Sequence, residues 1–225
     1  MNVHTEVCPP QPVTFHPLAN IFPWLEGAAN DALREDIRQN GVREPIVFLD
    51  GAILDGRNRY QCARHLGVPY PRREFGSDPL DGADPLAFVI SLNLTRRHLT
   101  ESQRAMVAQK LENMQHGQRA DRARDANLHV SLPLSDQAKP VPPVTRADAA
   151  RMLNVSERTV ATARKVQDEA PPEVARAVEA GHLSVSLAAK VADLPDEAKA
   201  EVAAAPPEKM REVAREVSKP FVAQN

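Results

Sequence analysis

Residues 54–60, with the sequence LDGRNRY, decide the fold of the first half of the chain. They follow an apolar run at residues 45–49 and an Asp-Gly pair, a combination typical of a strand, a tight turn and a short return strand. Residues 60–66 then favour a helix that Gly67 ends. The sequence therefore predicts a strand, a turn, a second strand and a helix, with the Asp-Gly pair of LDGRNRY at the end of the return strand.

The start of this helix is a candidate anion site. A glycine turn leaves backbone N–H groups free at the helix N-terminus, and the guanidinium groups of Arg57 and Arg59 can hold phosphate oxygens. The alternative is that both arginines are solvated charges beside an ordinary turn. Arg96 and Arg97 form a second basic cluster, predicted to lie just before a new helix that Thr100 caps. Two such clusters in one small α/β domain favour a shared polyanion or nucleotide site.

The composition of the chain limits its class of function. With 225 residues it has room for one large domain or two to three small ones, and 20 prolines against 9 glycines indicate stiff boundaries. A net charge of −2 means that a nucleic-acid role must rest on local basic patches. The 2 cysteines predict a reducing compartment without a disulfide, and the dispersed histidines predict no metal site. Since no apolar run has membrane-spanning length, we expect a cytoplasmic protein without a membrane partner.

Further elements are predicted around the central stretch. Residues 16–23 are expected to form an edge strand bounded by prolines, and Asn30 or Asp31 is expected to cap a helix. An extended segment is expected near residues 71–75. The helix that follows is expected to break at residues 93–99.

Residues 145–169 are the informative stretch of the second half. Thr145 and Ser156 are predicted to cap two consecutive helices, and Asn154 is predicted to form the tight turn between them. A small residue in the first helix and apolar residues around the turn suit two closely crossing helices, which is the helix-turn-helix arrangement. The side chains expected to face the major groove of DNA are Ser156, Arg158, Thr159, Thr162 and Lys165. The alternative is a plain helical hairpin with a solvated face.

Taken together, these segments resemble the ParB partition-protein family. The matching segments are NGVREPIV at residues 40–47, DGRNR at 55–59, NLTR at 93–96, the helix-turn-helix at 145–165 and EAGHLS at 179–184. Members of the family carry the boxes GERRxRA and ENxQR, which cradle the phosphates of cytidine triphosphate (CTP) with magnesium. The resemblance extends over roughly residues 15–215 of the chain.

This resemblance implies an α+β N-terminal ParB-like domain with a small mixed sheet, followed by an all-α helix-turn-helix domain. The expected boundaries are a disordered tail at residues 1–14, a nucleotide-binding domain at 15–117, a Pro-rich linker at 118–144, a helical DNA-binding domain at 145–218 and a tail at 219–225. The phosphate-binding positions that it implies are Gly56, Arg57, Asn58, Arg59, Asn93, Thr95, Arg96 and Arg97.

The chain departs from the family boxes at their acidic positions. Arg57 stands where the family has glutamate, and Leu92 stands where the family has the acidic residue before asparagine. Because magnesium prefers hard oxygen ligands, both losses weaken the inference of metal-dependent triphosphate hydrolysis. Asp55 is the candidate to supply such an oxygen or a catalytic carboxylate. The alternative for Asp55 is a turn residue that accepts backbone hydrogen bonds.

The leading hypothesis is a sequence-specific DNA-binding protein of ParB type that CTP and Mg²⁺ switch. Its expected partners are double-stranded DNA with a palindromic site, a second copy of the chain in a homodimer and, in a partition role, an ATPase. Its expected place is the nucleoid. One alternative is an enzyme (a nuclease, a phosphoryl transferase or a weak CTPase) that the helix-turn-helix targets to DNA. Another is a transcriptional regulator with a degenerate nucleotide pocket.

Overall fold

The computed structural model describes residues 4–6, 13–96, 98–114 and 144–219, and all structural statements concern these residues. They form two compact units. The first contains the described residues up to Arg96, and the second contains residues 98–114 and 144–219. The linker predicted at residues 118–144 lies outside the described residues, apart from Val144.

A four-stranded mixed sheet organises the first unit. Its strands are β1 (His4–Glu6), β2 (Ile46–Leu49), β3 (Ala52–Asp55) and β4 (Tyr70–Glu74), in the order β1-β4-β2-β3. The β2 strand is antiparallel to β3 and parallel to β4, and β4 is antiparallel to β1. The prediction of a small mixed sheet is therefore confirmed. Strand β1 lies in the segment that we predicted to be a disordered tail, and backbone pairing with β4 orders it.

The turn between β2 and β3 has the geometry that its Asp-Gly sequence predicts. Asp50 and Gly51 both have positive φ angles, of 49° and 79°. Two consecutive positive φ angles are typical of a type I′ turn, whose twist matches that of the flanking antiparallel strands. The register pairs Leu49 with Ala52, so β3 ends at Asp55 with Gly56 directly after it.

Helix α2 (Arg57–Leu66) starts immediately after Gly56, three residues before the predicted start. Gly56 adopts a left-handed conformation with φ 95°, which turns the chain from the strand directly into the helix. A Cβ atom at this position would lie only 2.9 Å from Nη2 of Arg59. Glycine is therefore required both by the backbone angle and by the close approach of the arginine. Gly67 ends the helix as predicted, with φ 66°.

Three other expectations for the first unit were wrong. Residues 16–23 do not form an edge strand, because Pro17–Asn20 is a 3-10 helix whose first turn tolerates proline. The N-cap residue of helix α1 (Gly27–Asn40) is Glu26, whose side chain makes no capping hydrogen bond, so neither Asn30 nor Asp31 caps the helix. Helix α3 (Pro85–Arg96) continues through residues 93–96, where a break was expected.

A chain of aromatic rings joins these elements in the core of the first unit. Phe15 makes edge-to-face contacts with Trp24 and Tyr60, at centroid distances of 5.6 and 6.1 Å. Tyr60 makes the same kind of contact with Tyr70 of β4, at 5.6 Å. The Tyr60 hydroxyl also accepts a hydrogen bond from the backbone N–H of Val13 at 2.9 Å. Since Tyr60 lies on α2, these contacts fix the start of that helix against the sheet.

The second unit is formed by helices. They are α4 (Glu101–Asn113), α5 (Arg146–Met152), α6 (Glu157–Glu169), α7 (Pro172–Glu179), α8 (Val185–Ala192), α9 (Asp196–Ala204) and α10 (Pro207–Val217). We predicted that α4 would belong to the first domain, whereas the structure groups it with the second unit. Its residues Ala105 and Met106 are buried in one apolar cluster with Val166 and Val178. No helix in the described part of the chain is long and apolar enough to cross a membrane.

Candidate functional site

The first unit contains a cleft of about 560 Å³ beside the predicted phosphate loop. Part of the lining comes from Glu44, two residues before β2, from Asp55, the last residue of β3, and from Arg59 in the first turn of α2. A second group comes from β4 and the loop after it, and α3 contributes small and apolar side chains. In total the lining contains four carboxylates (Glu44, Asp55, Asp78 and Asp81) and two guanidinium groups (Arg59 and Arg73).

Arg59 is the predicted phosphate ligand that faces this cleft. Its Nη2 atom donates to the carbonyl oxygen of Pro45 at 3.1 Å and to Oδ2 of Asp55 at 3.2 Å. Its Nη1 atom lies 3.4 Å from Oε2 of Glu44. The Arg59 side chain is 18% exposed, while that of Glu44 is 58% exposed. An anion that enters the cleft would therefore exchange with the exposed Glu44 carboxylate more easily than with Asp55, whose side chain is 11% exposed.

Arg73 and Asp81 form a second charged pair in the cleft that the sequence analysis missed. The two guanidinium nitrogens of Arg73 donate to the two oxygens of Asp81 at 2.6 and 2.7 Å. Burial by itself raises the pKa of Asp81, but hydrogen bonds from Arg73 and from the Gly76 N–H outweigh it, so the pKa lies below its ordinary value. This bidentate geometry holds the loop after β4 against the sheet.

Arg57 points away from the cleft, although we predicted that it would bind phosphate. Its side chain donates to Oδ1 of Asn20 at 3.1 Å and to the carbonyl oxygen of Phe22, and its guanidinium lies 4.0 Å from the centre of the Trp24 ring. Only 5% of the residue is exposed. Asn58, another predicted ligand, accepts the Leu25 N–H at 3.3 Å. Both side chains thus connect α2 to residues 20–25.

Of the second group of predicted phosphate-binding residues (Asn93, Thr95, Arg96 and Arg97), the structure describes the side chains of Asn93 and Thr95. Asn93 donates to the Val89 carbonyl at 2.9 Å, and the Thr95 hydroxyl donates to the Ser91 carbonyl at 2.8 Å. Both side chains are therefore engaged by their own helix, α3. The side chain of Arg96 and the whole of Arg97 lie outside what the structure describes.

Helices α5 and α6 are joined by the turn and the caps that the sequence predicts. The hydroxyl oxygens of Thr145 and Ser156 accept backbone N–H groups at 3.1 and 3.0 Å, which satisfies one donor at each helix start. Asn154 adopts a positive φ angle of 51° in the turn. Leu153 and Val160, on either side of the turn, are fully buried. Apolar residues on both sides of the turn are therefore buried, as expected.

The predicted DNA-contacting residues on and next to α6 differ from one another in their exposure and in their hydrogen-bond partners. Ser156 and Arg158 are exposed, and Arg158 forms no ion pair within the described part of the chain. The Thr162 hydroxyl donates to the Arg158 carbonyl at 2.9 Å, and the Thr159 hydroxyl donates to Glu101 at 3.3 Å. Arg158 is thus the basic side chain of this surface that points freely to solvent.

Lys165, seven residues after Arg158 on α6, is already paired. Its ammonium group donates a hydrogen bond to Asp193, at the C-terminal end of α8, and lies 4.0 Å from Glu169. The hydrogen bond to Asp193 raises the pKa of Lys165. A phosphate that contacts Lys165 would have to compete with this carboxylate.

Metal-binding side chains do not gather anywhere in the described ranges. No group of three or more His, Cys, Asp or Glu residues there has a suitable arrangement for a metal ion. Cys62 is a buried free thiol on α2, and burial raises its pKa.

Comparison with solved structures finds similarities along most of the chain. One is the structure of a Pnob8-like ParB-N domain, at 14% identity and a TM-score of 0.48, covering 97% of this chain and 98% of that one. Another is a C-terminally truncated chromosome-partitioning protein ParB from Caulobacter crescentus complexed with CTP-gamma-S, at 18% identity and a TM-score of 0.31, covering 97% and 100%.

The same C-terminally truncated Caulobacter protein complexed to the centromeric parS site is also similar, at 18% identity and a TM-score of 0.35, covering 87% of this chain and 92% of that one. No family model and no curated protein matches the sequence. The proteins in these solved structures are ParB proteins, the family that the sequence motifs resemble.

Proposed function

We propose that this chain is a DNA-binding protein of ParB type, in which α5 and α6 form a helix-turn-helix that reads double-stranded DNA. The observation that carries this proposal is the exposed Arg158 on a well-capped helix that follows a tight turn. A rigid helix with a free guanidinium near its N-terminus suits entry into the major groove, where arginine pairs with guanine edges or phosphates. Ser156 and Thr162 are the shorter polar contacts of the same surface.

We further propose that the chain acts as a homodimer on a palindromic site, in DNA partition or a related regulatory role. A helix-turn-helix of one protomer covers only half a turn of DNA, so two copies give the specificity that a single short helix lacks. The motif resemblance to ParB supports the partition role, and it extends the set of expected partners to an ATPase.

A nucleoside triphosphate, CTP with Mg²⁺, is the proposed ligand of the Arg59 cleft. Arg59 can hold a phosphate oxygen with its forked guanidinium, and the backbone after Gly56 opens a helix N-terminus beside it. Four carboxylates line the cleft, and a divalent cation carried by the triphosphate would offset their repulsion of the phosphates, whereas no group of three or more described acidic residues is arranged to hold the cation itself. Ligand binding would then change how two protomers sit on DNA by a population shift.

The DNA proposal is tested by selecting bound sites from a random double-stranded library. We expect the full chain to enrich one palindromic sequence, and Arg158→Ala to lose that enrichment while remaining folded. A matched control is Arg151→Ala, since Arg151 is also an exposed arginine of the second unit but lies on α5. No enrichment by the unmodified chain would refute sequence-specific binding.

The nucleotide proposal is tested by calorimetric titration with CTP, ATP and GTP in the presence of magnesium. We expect binding of CTP that is lost in Arg59→Ala and partly retained in Arg59→Lys, which keeps the charge but not the forked geometry. Absence of binding for all three nucleotides would leave a DNA-binding protein without this switch.

Phosphoryl transfer or DNA cleavage is a second candidate function, because Asp55 places a carboxylate inside the cleft. Arg59 engages this carboxylate at 3.2 Å, which favours a role for Asp55 in positioning Arg59. Magnesium-dependent turnover of a nucleotide or of DNA that disappears in Asp55→Asn would instead assign Asp55 a catalytic role.

A further inference from the structure

One mostly buried carboxylate connects both helices of the helix-turn-helix to α4. Glu112 lies near the C-terminal end of α4, and its side chain is 13% exposed. Its Oε1 atom accepts hydrogen bonds from Nη2 of Arg146 at 3.0 Å and from Nη1 of Arg164 at 3.2 Å, and its Oε2 atom accepts one from Nε of Arg146 at 3.3 Å. Arg146 is the first residue of α5, and Arg164 lies in the middle of α6. A single side chain therefore bridges three helices.

This arrangement differs from an ordinary ion pair, which contributes little when it lies at the surface. The pair Lys110–Glu179, for example, joins one cation of α4 to one carboxylate of α7. Glu112 instead accepts two hydrogen bonds from Arg146 and a third from Arg164. Because hydrogen bonds between ionised groups are strong and directional, the three contacts restrict how far α5 and α6 can turn relative to each other.

Helix α4 supports α6 at two further places. The Glu101 carboxylate, at the start of α4, accepts the Thr159 hydroxyl of α6 at 3.3 Å. Ala105 of α4 is buried in the same apolar cluster as Val166 of α6. Helix α6 is therefore held by α4 along its buried side, whereas Arg158 is exposed.

We propose that Glu112 is a positioning residue for DNA reading, which fixes the angle between α5 and α6 by holding Arg146 and Arg164 together. In a helix-turn-helix the first helix crosses the DNA backbone and the second lies in the major groove, so this angle decides whether both helices can reach one duplex. A side chain such as Arg158 reads a base edge only when its support holds it to within about 0.5 Å. The inference rests on the proposed DNA binding and deepens it by naming a residue that acts through these helices without touching DNA.

The test compares the unmodified full chain with Glu112→Gln and with Glu179→Gln. Glutamine keeps the length of the side chain and one carbonyl acceptor but removes the charge. Glu179 provides the matched control, because its side chain is 23% exposed and pairs with Lys110 of α4 at 2.9 Å, but forms no ion pair with α5 or α6 among the described residues. Fluorescence anisotropy measures the affinity of each form for the selected palindromic duplex and for a random duplex of equal length, at several salt concentrations.

We expect Glu112→Gln to weaken binding of the selected duplex about tenfold, the size of one lost base contact, because α6 no longer presents Arg158 correctly. Affinity for the random duplex should change by less than about twofold, and the slope of log affinity against log salt should stay the same, because no phosphate contact is lost. Glu179→Gln should change neither affinity by more than about twofold.

A second comparison tests whether Glu112 acts through Arg164. Arg164→Met removes the bridge from the side of α6, so it should weaken the selected duplex as Glu112→Gln does, without reducing the salt slope. Because either substitution opens the bridge, adding Glu112→Gln to Arg164→Met should weaken the selected duplex by less than about a further twofold. Fully additive effects would show that the two residues act independently, and a reduced salt slope in Arg164→Met would assign Arg164 to a phosphate contact; both results contradict the inference.

The remaining outcomes are also decisive. Equal weakening of both duplexes, or a loss of stability of the second unit in far-ultraviolet circular dichroism with an unchanged preference for the selected duplex, would leave Glu112 only a structural role. Tighter binding of both duplexes with a steeper salt slope would mean that Glu112 only neutralises two arginines that contact phosphates. If Glu112→Gln does not fold, Glu112→Asp, which keeps the charge but has a shorter reach, should show the same loss of preference to a smaller extent. If the unmodified chain prefers no duplex, the proposed DNA reading fails together with the inference, whereas an unchanged preference in Glu112→Gln refutes the inference alone.

Discussion

Arg59 in the cleft and Arg158 on α6 were both predicted to bind anions, but their surroundings differ. The Arg59 guanidinium is 18% exposed and contacts Glu44, Asp55 and a backbone carbonyl. Arg158 is exposed and forms no ion pair with any described residue. One arginine is part of a charged network inside a small unit, and the other is a free charge on a helix surface.

The two proposed sites would therefore bind anions by different mechanisms. An anion at Arg59 must replace a carboxylate, so its net gain is the difference between two charged interactions. An anion at Arg158 displaces only water and counterions, which makes the interaction sensitive to salt. Local sequence cannot distinguish these cases, because both arginines follow a helix start.

The largest expected effect is on stability. Arg59→Ala should lower the free energy of unfolding of the first unit by about 2–3 kcal/mol, since it leaves the mostly buried Asp55 carboxylate without its cation. Trp24, the 1 tryptophan of the chain, lies in the first unit and reports its unfolding by fluorescence. Arg158→Ala should change stability by less than about 0.5 kcal/mol, measured by far-ultraviolet circular dichroism. Equal losses of unfolding free energy in Arg59→Ala and Arg158→Ala would show that the different surroundings of the two arginines do not affect stability.

The second effect concerns DNA. Arg158→Ala should weaken binding to the selected site about tenfold and reduce the slope of log affinity against log salt by about 1. Arg158→Lys is the matched variant, because it keeps the charge and loses the forked donor geometry. It should retain the salt slope and lose discrimination between sites. An unchanged slope in Arg158→Ala would remove Arg158 from the DNA surface.

A third prediction tests whether an incoming anion replaces the Glu44 carboxylate at Arg59. Glu44→Gln removes the more exposed carboxylate from the guanidinium, so affinity for tripolyphosphate should rise about threefold. Glu35→Gln is the control, since Glu35 also forms an exposed ion pair in the first unit, with Arg38 at 2.6 Å, and does not line the cleft. A lower affinity in Glu44→Gln would mean that Glu44 positions Arg59 for the anion and does not compete with it.

A smaller rise in affinity is expected when a carboxylate partner is removed from Lys165 on α6. Asp193→Asn frees Lys165 from its carboxylate partner, and DNA affinity should rise about twofold with a slightly steeper salt dependence. Asp196→Asn provides the comparison, because Asp196 pairs with Lys199 at 3.8 Å, away from α6. If DNA affinity falls in Asp193→Asn, the pair orients Lys165 for contact and is not an obstacle to it.

The features that the sequence predicted correctly depend on residues close together in the chain. The Asp50-Gly51 turn, the Gly67 helix end and the caps at Thr145 and Ser156 each require specific residue types within a few positions. Their geometry hardly depends on the rest of the fold. These short signals were sufficient to predict a helix that ends at Gly67 and a tight turn before α6.

The features that the sequence missed depend on contacts between distant residues. The direction of Arg57 is set by Phe22 and Trp24, more than 30 positions earlier, and no local pattern reveals it. The Arg73–Asp81 pair required knowing that the loop after β4 folds back on its strand. Helix α3 also extends through Asn93, where a break was expected, because the residues at this position can all be helical.

The smallest expected effect is a pH dependence confined to the first unit. His16 is buried, and its Nδ1 accepts the Leu18 N–H at 3.2 Å at the start of the 3-10 helix whose Asn20 contacts Arg57. Burial lowers the pKa of His16, and the Asp50 carboxylate only partly offsets this. Below about pH 6.5 the unfolded chain therefore binds a proton that the folded unit does not, so stability falls as the pH decreases through this range.

His16→Asn separates this titration from the hydrogen bond, because an asparagine oxygen can accept the same N–H without changing charge. Between about pH 7.5 and about pH 5.5, the unmodified chain should lose more stability than His16→Asn when unfolding is followed by Trp24 fluorescence. Asp81 does not contribute in this window, since its lowered pKa places its effect at more acidic pH. When unfolding of the second unit is followed instead, the unmodified chain and His16→Asn should lose the same amount of stability on acidification, since His16 lies in the first unit. An equal acid sensitivity of both forms would mean that His16 is protonated in the folded unit as readily as in the unfolded chain, and that its hydrogen bond to Leu18 does not depend on a neutral imidazole.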